Sequence, residues 1–215
     1  YGFSTYSTSF HRTLDILALV KRINNKAVTV SGAPHASALP EQVKAHFAFL
    51  VRGEGEQAIL QLVESLDRGE EPPPILHGTP LPNLDDLPFP DYSLVDIESY
   101  HRVVDGSSSL SILSSRGCPY RCVFCNSIIL GRAGRMRFRS ATNVWEEVHR
   151  LKTDLGVSSF RFQDDNFTLN RPRLREMTRL FEREEIRYRC FGRVDRCSRE
   201  VTDLLFRGGC RHIAF

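Results

Sequence analysis

The sequence has no long apolar run. None of its hydrophobic stretches approaches the roughly 20 residues of a spanning helix, so nothing in it reads as a membrane segment. It has no secretory signal either, with no basic start leading into a short apolar core. Its 215 residues hold only six cysteines, none before Cys118. That is too few and too uneven for a secreted disulfide scaffold. A reducing cytoplasm suits such thiols better. The sequence also lacks a basic stripe. Its net charge of +3 is spread over helix-like and strand-like segments, so nucleic acid is not an expected partner. It opens on Tyr1 instead of Met and ends inside an apolar segment, residues 211–215. We therefore expect a piece of a longer protein, and absent targeting signals carry little weight.

What is there begins with three thiols on one loop. Cys118, Cys122 and Cys125 stand at C-x3-C-x2-C spacing between Gly117 and Cys125. Thiolates are the usual ligands of iron–sulfur clusters. Three of them hold three irons of a cubane and leave the fourth iron open to a small molecule. Gly117 and Pro119 restrict the loop, and Phe124 is expected to shield one side of it. The alternative is structural zinc. Zinc takes four ligands, often as paired C-x2-C units, so it needs a fourth from Cys190, Cys197, Cys210 or a distant His.

Around that loop the pattern is α/β. Ile16, Leu19, Val20 and Ile23 have helical spacing, and a β-type run follows at 27–30. Residues 31–35 read as a turn, 47–51 as a second β run, and Ile59, Leu62, Val63 and Leu66 as an amphipathic helix. Residues 69–108 change character. The prolines at 72–74, 80, 82, 88 and 90 exclude regular helix across much of that stretch, and Gly106 to Ser109 reads as flexible. The expected domains are 1–78, a Pro-rich linker at 79–109, and 110–215. From residue 110 the alternation resumes. A strand at 111–114 delivers the cysteine loop, and Val144, Val148, Leu151 and Leu155 mark a helix. Phe160 and Phe162 mark a strand. Asn170 caps a helix with Pro172 in its first turn and Leu174, Met177 and Phe181 on its face. A third strand at 187–193, a helix through Val201, Leu204 and Leu205, and a strand from Arg211 complete four β/α-type units, the rhythm of a barrel. Residues 1–115 hold 8 Lys and Arg against 14 Asp and Glu, and residues 116–215 hold 21 against 12. The basic second half fits an anionic partner or an Arg-rich enzyme surface.

C-x3-C-x-aromatic-C directly after a strand resembles the signature of the radical S-adenosylmethionine (radical SAM) enzymes. The resemblance implies that Cys118, Cys122 and Cys125 bind a [4Fe–4S] cluster. S-adenosylmethionine chelates the open iron, and one electron cleaves it to a 5′-deoxyadenosyl radical. It places Phe124 near the adenine. The segment from Phe162 to Thr168 resembles the family's second-strand motif, which makes Asp164 and Asp165 candidates for the methionyl amine, with a turn or capping role as the alternative. Arg193 is a candidate partner for the methionyl carboxylate, or one half of a surface ion pair. An electron donor such as flavodoxin or ferredoxin is implied. The substrate would be a small molecule of natural-product, lipid or tetrapyrrole type. Cys210 reads as buried packing. The methylthiotransferase branch brings three further cysteines in its first domain, and residues 1–117 contain none.

Residues 31–37 and 51–56, with the linker from Leu87 to Tyr92, resemble the cobalamin-binding domain that precedes many radical SAM domains. The implied fold class is the C-terminal part of a doubly wound, Rossmann-like cobalamin-binding domain. It is followed by the first four β/α units of a partial TIM-type radical SAM barrel. Cobalamin would lie at the C-terminal edge of the first sheet, with Ser7, Ser9, Ser31 and Gly32 as candidate contacts, Thr8 beside them, and Gly32 admitting a close backbone approach. The family often has Gly-Gly where Ser31 and Gly32 stand. Its upstream D-x-H-x-x-G element is absent here. A first domain that binds no corrin is therefore the rival reading. His35 reads as a hydrogen-bonding loop residue, and Glu54 and Glu56 as acidic residues heading a helix. The implied reactions are methyl transfer, rearrangement or cyclisation.

Overall fold

The computed structural model describes residues 1–100, 102–127 and 136–215. It forms two compact units, one of Tyr1–Leu81 with residues 123–127 among those described, and one of Pro82–Cys122 with residues 136–215.

In the first unit, β1 (Gly2–Ser4), α1 (Phe10–Ile23), β2 (Val30–Gly32), α2 (Ala33–Ala38), α3 (Pro40–Lys44), β3 (Phe49–Gly53), α4 (Glu56–Asp67) and β4 (Ile75–Gly78) follow in order. The four strands lie side by side as β1-β2-β3-β4, all parallel. Phe10, Leu17, Ala36, Val43, Phe47 and Leu50 form the core. Burying a large apolar side chain is worth about 1.5–3 kcal/mol. The helix at 10–23 is where its periodicity put it, yet a different face is buried. Phe10, Thr13 and Leu17 point inward, while Ile16, Leu19 and Ile23 are exposed. In α4, Ala58 and Leu62 are buried and Val63 is exposed. Apolar residues occupy more than one face of each helix, so spacing alone does not choose the inward one.

Two boundaries also move. The β run at 27–30 becomes a strand only from Val30, and the segment read as a turn at 31–35 is the end of β2 and the start of α2. Pro34 sits in the first turn of α2, where a missing N–H costs nothing. At the far end of this sheet Gly78 cannot be replaced without movement. A Cβ there would lie 1.6 Å from the Glu54 carbonyl oxygen.

The second unit opens with the proline-rich segment. Short 3₁₀ turns at Leu84–Asp86, Tyr92–Leu94 and Ile97–Ser99 order it, the first two capped by Asn83 and Asp91 side chains. Then come β5 (Val103–Val104), β6 (Ser107–Ile112), β7 (Ser115–Arg116), β8 (Arg137–Phe138), α5 (Ala141–Leu155), β9 (Ser159–Phe162), α6 (Arg171–Phe181), β10 (Arg187–Phe191), α7 (Arg199–Arg207) and β11 (Cys210–Ala214). The main sheet has the order β11-β10-β9-β6-β5. Its first four strands are parallel, and β5 pairs antiparallel with β6 at the edge. Gly106 to Ser109 is therefore not a flexible segment. Asp105 and Gly106, at φ 49° and 81°, close a two-residue hairpin between β5 and β6, the geometry that Asp-Gly pairs favour.

The rings of Phe162, Phe167, Phe181 and Tyr188 pack on one another at the centre of this unit's core, with Phe160, Leu174, Met177 and Val201 around them. The Asn170 side chain accepts the Arg173 N–H at 3.1 Å, as an N-cap should. Gly209, at φ +99°, lets the chain pass Ile186, whose carbonyl oxygen would lie 2.1 Å from a Cβ there. No helix among the described residues is long and apolar enough to cross a membrane.

Candidate functional site

The cysteine loop leaves the C-terminal end of β6. The strand stops at Ile112, and after Leu113 and Ser114 the chain enters β7. β7 pairs antiparallel with β8, Ser115 opposite Phe138 and Arg116 opposite Arg137. This two-residue ladder closes the base of the loop that carries Cys118, Cys122 and Cys125.

Ser114 fixes that base. Its backbone N–H donates to both Asp164 oxygens, at 3.1 and 3.3 Å, and its hydroxyl donates to Oδ1 at 2.9 Å. The Ser115 hydroxyl donates to the same oxygen. The Ser114 carbonyl accepts from the Arg139 N–H at 3.0 Å and from Arg173 Nη2 at 2.9 Å. Arg173 Nε donates to the Arg139 carbonyl at 2.6 Å. Arg139 in turn donates to the Leu113 carbonyl at 2.8 Å and pairs with the buried Glu147. One residue thus ties β6, the end of β9, the first turn of α6 and the return of the cysteine loop together. Burial pushes the Asp164 carboxyl above its ordinary value, against the pull of Ser115, Arg173 and Ser114. Burial likewise lowers the Arg173 guanidinium to about 10.

The two adjacent acids therefore part ways. Asp164 is 1% exposed and spends its oxygens on Ser114 and Ser115. Asp165, the next residue, is exposed at the C-terminal end of the strand. Asn166 is fully buried. Its Oδ1 accepts from the Thr168 hydroxyl at 3.1 Å, while Nδ2 has no partner among the described residues.

The three thiols of the loop are half-buried, and none of the six cysteines forms a disulfide. Cys125 Sγ lies 3.0 Å from the Ser127 hydroxyl. Cys122 Sγ accepts from Arg193 Nη1 at 3.2 Å. Among the described residues no three His, Cys, Asp or Glu side chains are gathered into a metal-holding group. The sulfurs stand as a donor set on one loop, not a closed coordination sphere. By chemistry that set fits an iron–sulfur cluster, with three thiols on one short segment. Cys190 and Cys210, possible fourth zinc ligands by sequence, are instead buried in the core with their sulfurs 4.0 Å apart. Phe124 does not shield the loop; it is 89% exposed.

Arg193 stands just past β10. Its Nε and Nη2 bind Asp195 at 3.0 and 3.1 Å, and its guanidinium carbon lies 3.9 Å from the Tyr120 ring centre. The Asp195 hydrogen bond raises the Arg193 guanidinium above its ordinary value and, reciprocally, lowers the Asp195 carboxyl.

In the first unit, the candidate contacts Ser31 and Gly32 end β2, and Ser7 meets the start of α2. Ser7 Oγ lies 2.9 Å from His35 Nδ1. Ser9 Oγ donates to the Tyr6 carbonyl at 3.5 Å. Ser31 is fully buried, with its hydroxyl 3.2 Å from that of Thr5, which also donates to the Gly32 carbonyl at 2.7 Å. His35 is hydrogen-bonded as expected, but it lies buried in α2 and not in a loop, and it packs on Phe10 with ring centres 4.4 Å apart. Its Nε2 is buried without a partner among the described residues. The unusual backbone belongs to Ala33, at φ 76°, and not to Gly32. An orphaned ring nitrogen and a strained residue at a strand's C-terminal edge are features that binding sites show.

Residues 112–215 match the model of the Radical SAM superfamily. The chain belongs to the radical SAM superfamily. Residues 1–63 match the B12 binding domain. The two matches lie in order along this radical SAM chain, and the superfamily implies a [4Fe–4S] cluster and S-adenosylmethionine as cofactors. An uncharacterized methyltransferase of Pyrococcus horikoshii is 30% identical across 100% of this chain and 50% of its own length. An anaerobic magnesium-protoporphyrin IX monomethyl ester cyclase of Rubrivivax gelatinosus is 27% identical over 95% of this chain and 39% of its own. The chain thus spans half or less of the curated relatives it matches. Among solved structures, the radical S-adenosylmethionine methyltransferase TsrM of Kitasatospora setae, with cobalamin and [4Fe–4S] cluster bound, superposes with a TM-score of 0.71. The match covers 99% of this chain and 48% of that one at 20% identity, a likeness of fold.

Sequence reasoning missed Ser114, Arg139, Glu147 and Arg173. Only the run Ser114, Ser115 before the loop hinted that the strand end carries more than spacing.

Proposed function

We propose that this protein is a cobalamin-dependent radical SAM enzyme acting on a small molecule of natural-product, lipid or tetrapyrrole type, by methyl transfer, rearrangement or cyclisation. Cys118, Cys122 and Cys125 would hold a [4Fe–4S] cluster, which together with S-adenosylmethionine would supply radical-initiating chemistry, and a bound corrin would supply methyl-transfer or rearrangement chemistry. The observation that carries the reading is the loop itself: three thiols leave the C-terminal end of a parallel strand, on a base locked by Ser114 and Asp164. Ligands gather at that end of such strands.

The residues divide the work. Cys118, Cys122 and Cys125 hold the cluster. Asp165 presents an exposed carboxylate for the methionyl ammonium, and Asp164 holds the two strand ends in register. Phe124 offers an open ring for the adenine. Arg193 supplies positive charge beside the loop, with its donors directed at Asp195 and Cys122. Ser7, Ser9, Ser31 and Gly32 border the corrin site, with residues 1–78 as its domain, 79–109 as the linker and 110–215 as the radical SAM domain. Flavodoxin or ferredoxin in the cytoplasm supplies the electron. The relatives support both methyl transfer and cyclisation by their names.

The test is anaerobic purification of the full-length protein followed by metal, sulfide and corrin analysis. The reading expects about four irons and four sulfides per chain and a corrin absorbance band. Zinc in place of iron contradicts it. Iron without corrin leaves a radical SAM enzyme whose first domain is structural.

A further inference from the structure

The guanidinium of Arg193 is held from three sides. The ring of Tyr120 lies under it at 3.9 Å. The two oxygens of Asp195 take its Nε and Nη2, at 3.0 and 3.1 Å. That fork leaves Nη1 directed at Cys122 Sγ, 3.2 Å away. The platform is itself anchored, because Arg196 Nε donates to the Tyr120 hydroxyl at 2.6 Å. Tyr120 lies between Cys118 and Cys122 on the loop, so the stack and the N–H···S bond bind the same short segment to the end of β10. Arg139 and Arg173 reach the backbone carbonyls of Leu113 and Ser114 at the base of the loop, and Arg193 differs. This one ends on a sulfur.

We propose that Arg193 is a positioning residue that sets the reduction potential of the cluster held by Cys118, Cys122 and Cys125. The inference rests on the cluster reading above and goes beyond it. Reduction adds one electron, taken from an external one-electron donor, and makes the cluster one charge more negative. A fixed cation donating a hydrogen bond to a ligand sulfur stabilises that added charge, and hydrogen bonds to the sulfurs are a known lever on such potentials. Arg193 therefore makes the cluster easier to reduce. Asp195 offsets part of the charge but fixes the direction of Nη1, and Arg196 adds a second cation behind the ring.

The experiment is a redox titration of the anaerobically reconstituted full-length protein, without S-adenosylmethionine, followed by the electron paramagnetic resonance signal of the reduced cluster. Arg193→Gln removes cation and donor together. Its potential should become more negative by at least a tenfold change in the equilibrium constant, about 59 mV for one electron, at wild-type iron content. Arg193→Lys keeps the charge without the fork, and its potential should fall between the two. If Arg193→Gln takes up no cluster, Tyr120→Leu, which removes the platform, is read instead, and a more negative potential supports the proposal. An unchanged potential in a variant with full iron content overturns it and leaves the cluster reading intact. A wild-type protein that takes up no iron overturns both.

Discussion

The backbone N–H and hydroxyl of Ser114 both donate to the carboxylate of Asp164, fifty residues later in the chain. This bond ties the residue that launches the cysteine loop to the end of the neighbouring strand. The loop's position is thereby set by the sheet and not by the loop's own sequence. Asp164→Ala leaves a buried N–H and two hydroxyls without their acceptor, at roughly 1–3 kcal/mol for each unsatisfied group. We expect a loss of about 3 kcal/mol in urea unfolding of the apoprotein, and lower iron uptake on reconstitution. Asp165→Ala, on an exposed neighbour, should leave the unfolding curve within about 0.5 kcal/mol.

Ala33 takes a left-handed conformation, φ 76°, at the junction of β2 and α2. That region costs an L-residue about 1–2 kcal/mol. Ala33→Gly should raise the stability of the protein by about 1 kcal/mol, read as a higher urea midpoint. A lower midpoint would mean that the junction relaxes in solution.

The opposite sign is expected at Gly209. Its φ is +99°, and a Cβ would fall 2.1 Å from the Ile186 carbonyl oxygen. Both the backbone and the contact oppose a side chain, so Gly209→Ala should cost about 3 kcal/mol or more. Circular dichroism melts will show it as a large drop in midpoint.

Two tyrosines carry a pH signature. Burial pushes Tyr92 up to about 12 and Tyr188 well above the ordinary value of 10.0. With folded values above unfolded ones, the stability these phenols contribute is complete below pH 10 and is lost as pH rises through the folded values. The urea midpoint should therefore fall as pH climbs above about 10. Ultraviolet titration of the folded protein should show late-ionising phenols, one fewer in Tyr188→Phe. A midpoint that holds steady across this range would contradict the assignment.

Chemistry and periodicity that are local in sequence were legible without coordinates. The three cysteines declare themselves by spacing. The helix behind Asn170 declares itself by its cap, its Pro172 and the face of Leu174, Met177 and Phe181, all of which are buried. Asp105 and Gly106 carried a hairpin signal of the same local kind, and the run of serines after them hid it. What depends on partners far along the chain was not legible. Nothing near Asp164 says that its acceptor capacity goes to Ser114 while Asp165 stays exposed. Nothing in α1 says that Leu17 faces the core and Leu19 does not, because apolar residues sit on both sides. The turn read at 31–35 is a helix start, since Pro34 serves equally well in a turn and in a first helical turn.

The account stands or falls on whether the Cys118, Cys122 and Cys125 loop supports reductive cleavage of S-adenosylmethionine. The most direct measurement is the 5′-deoxyadenosine released from S-adenosylmethionine by the anaerobically reconstituted full-length protein under dithionite. The account predicts product with the wild type and none with Cys122→Ala. A wild-type protein that holds its full metal content and releases no 5′-deoxyadenosine would contradict it.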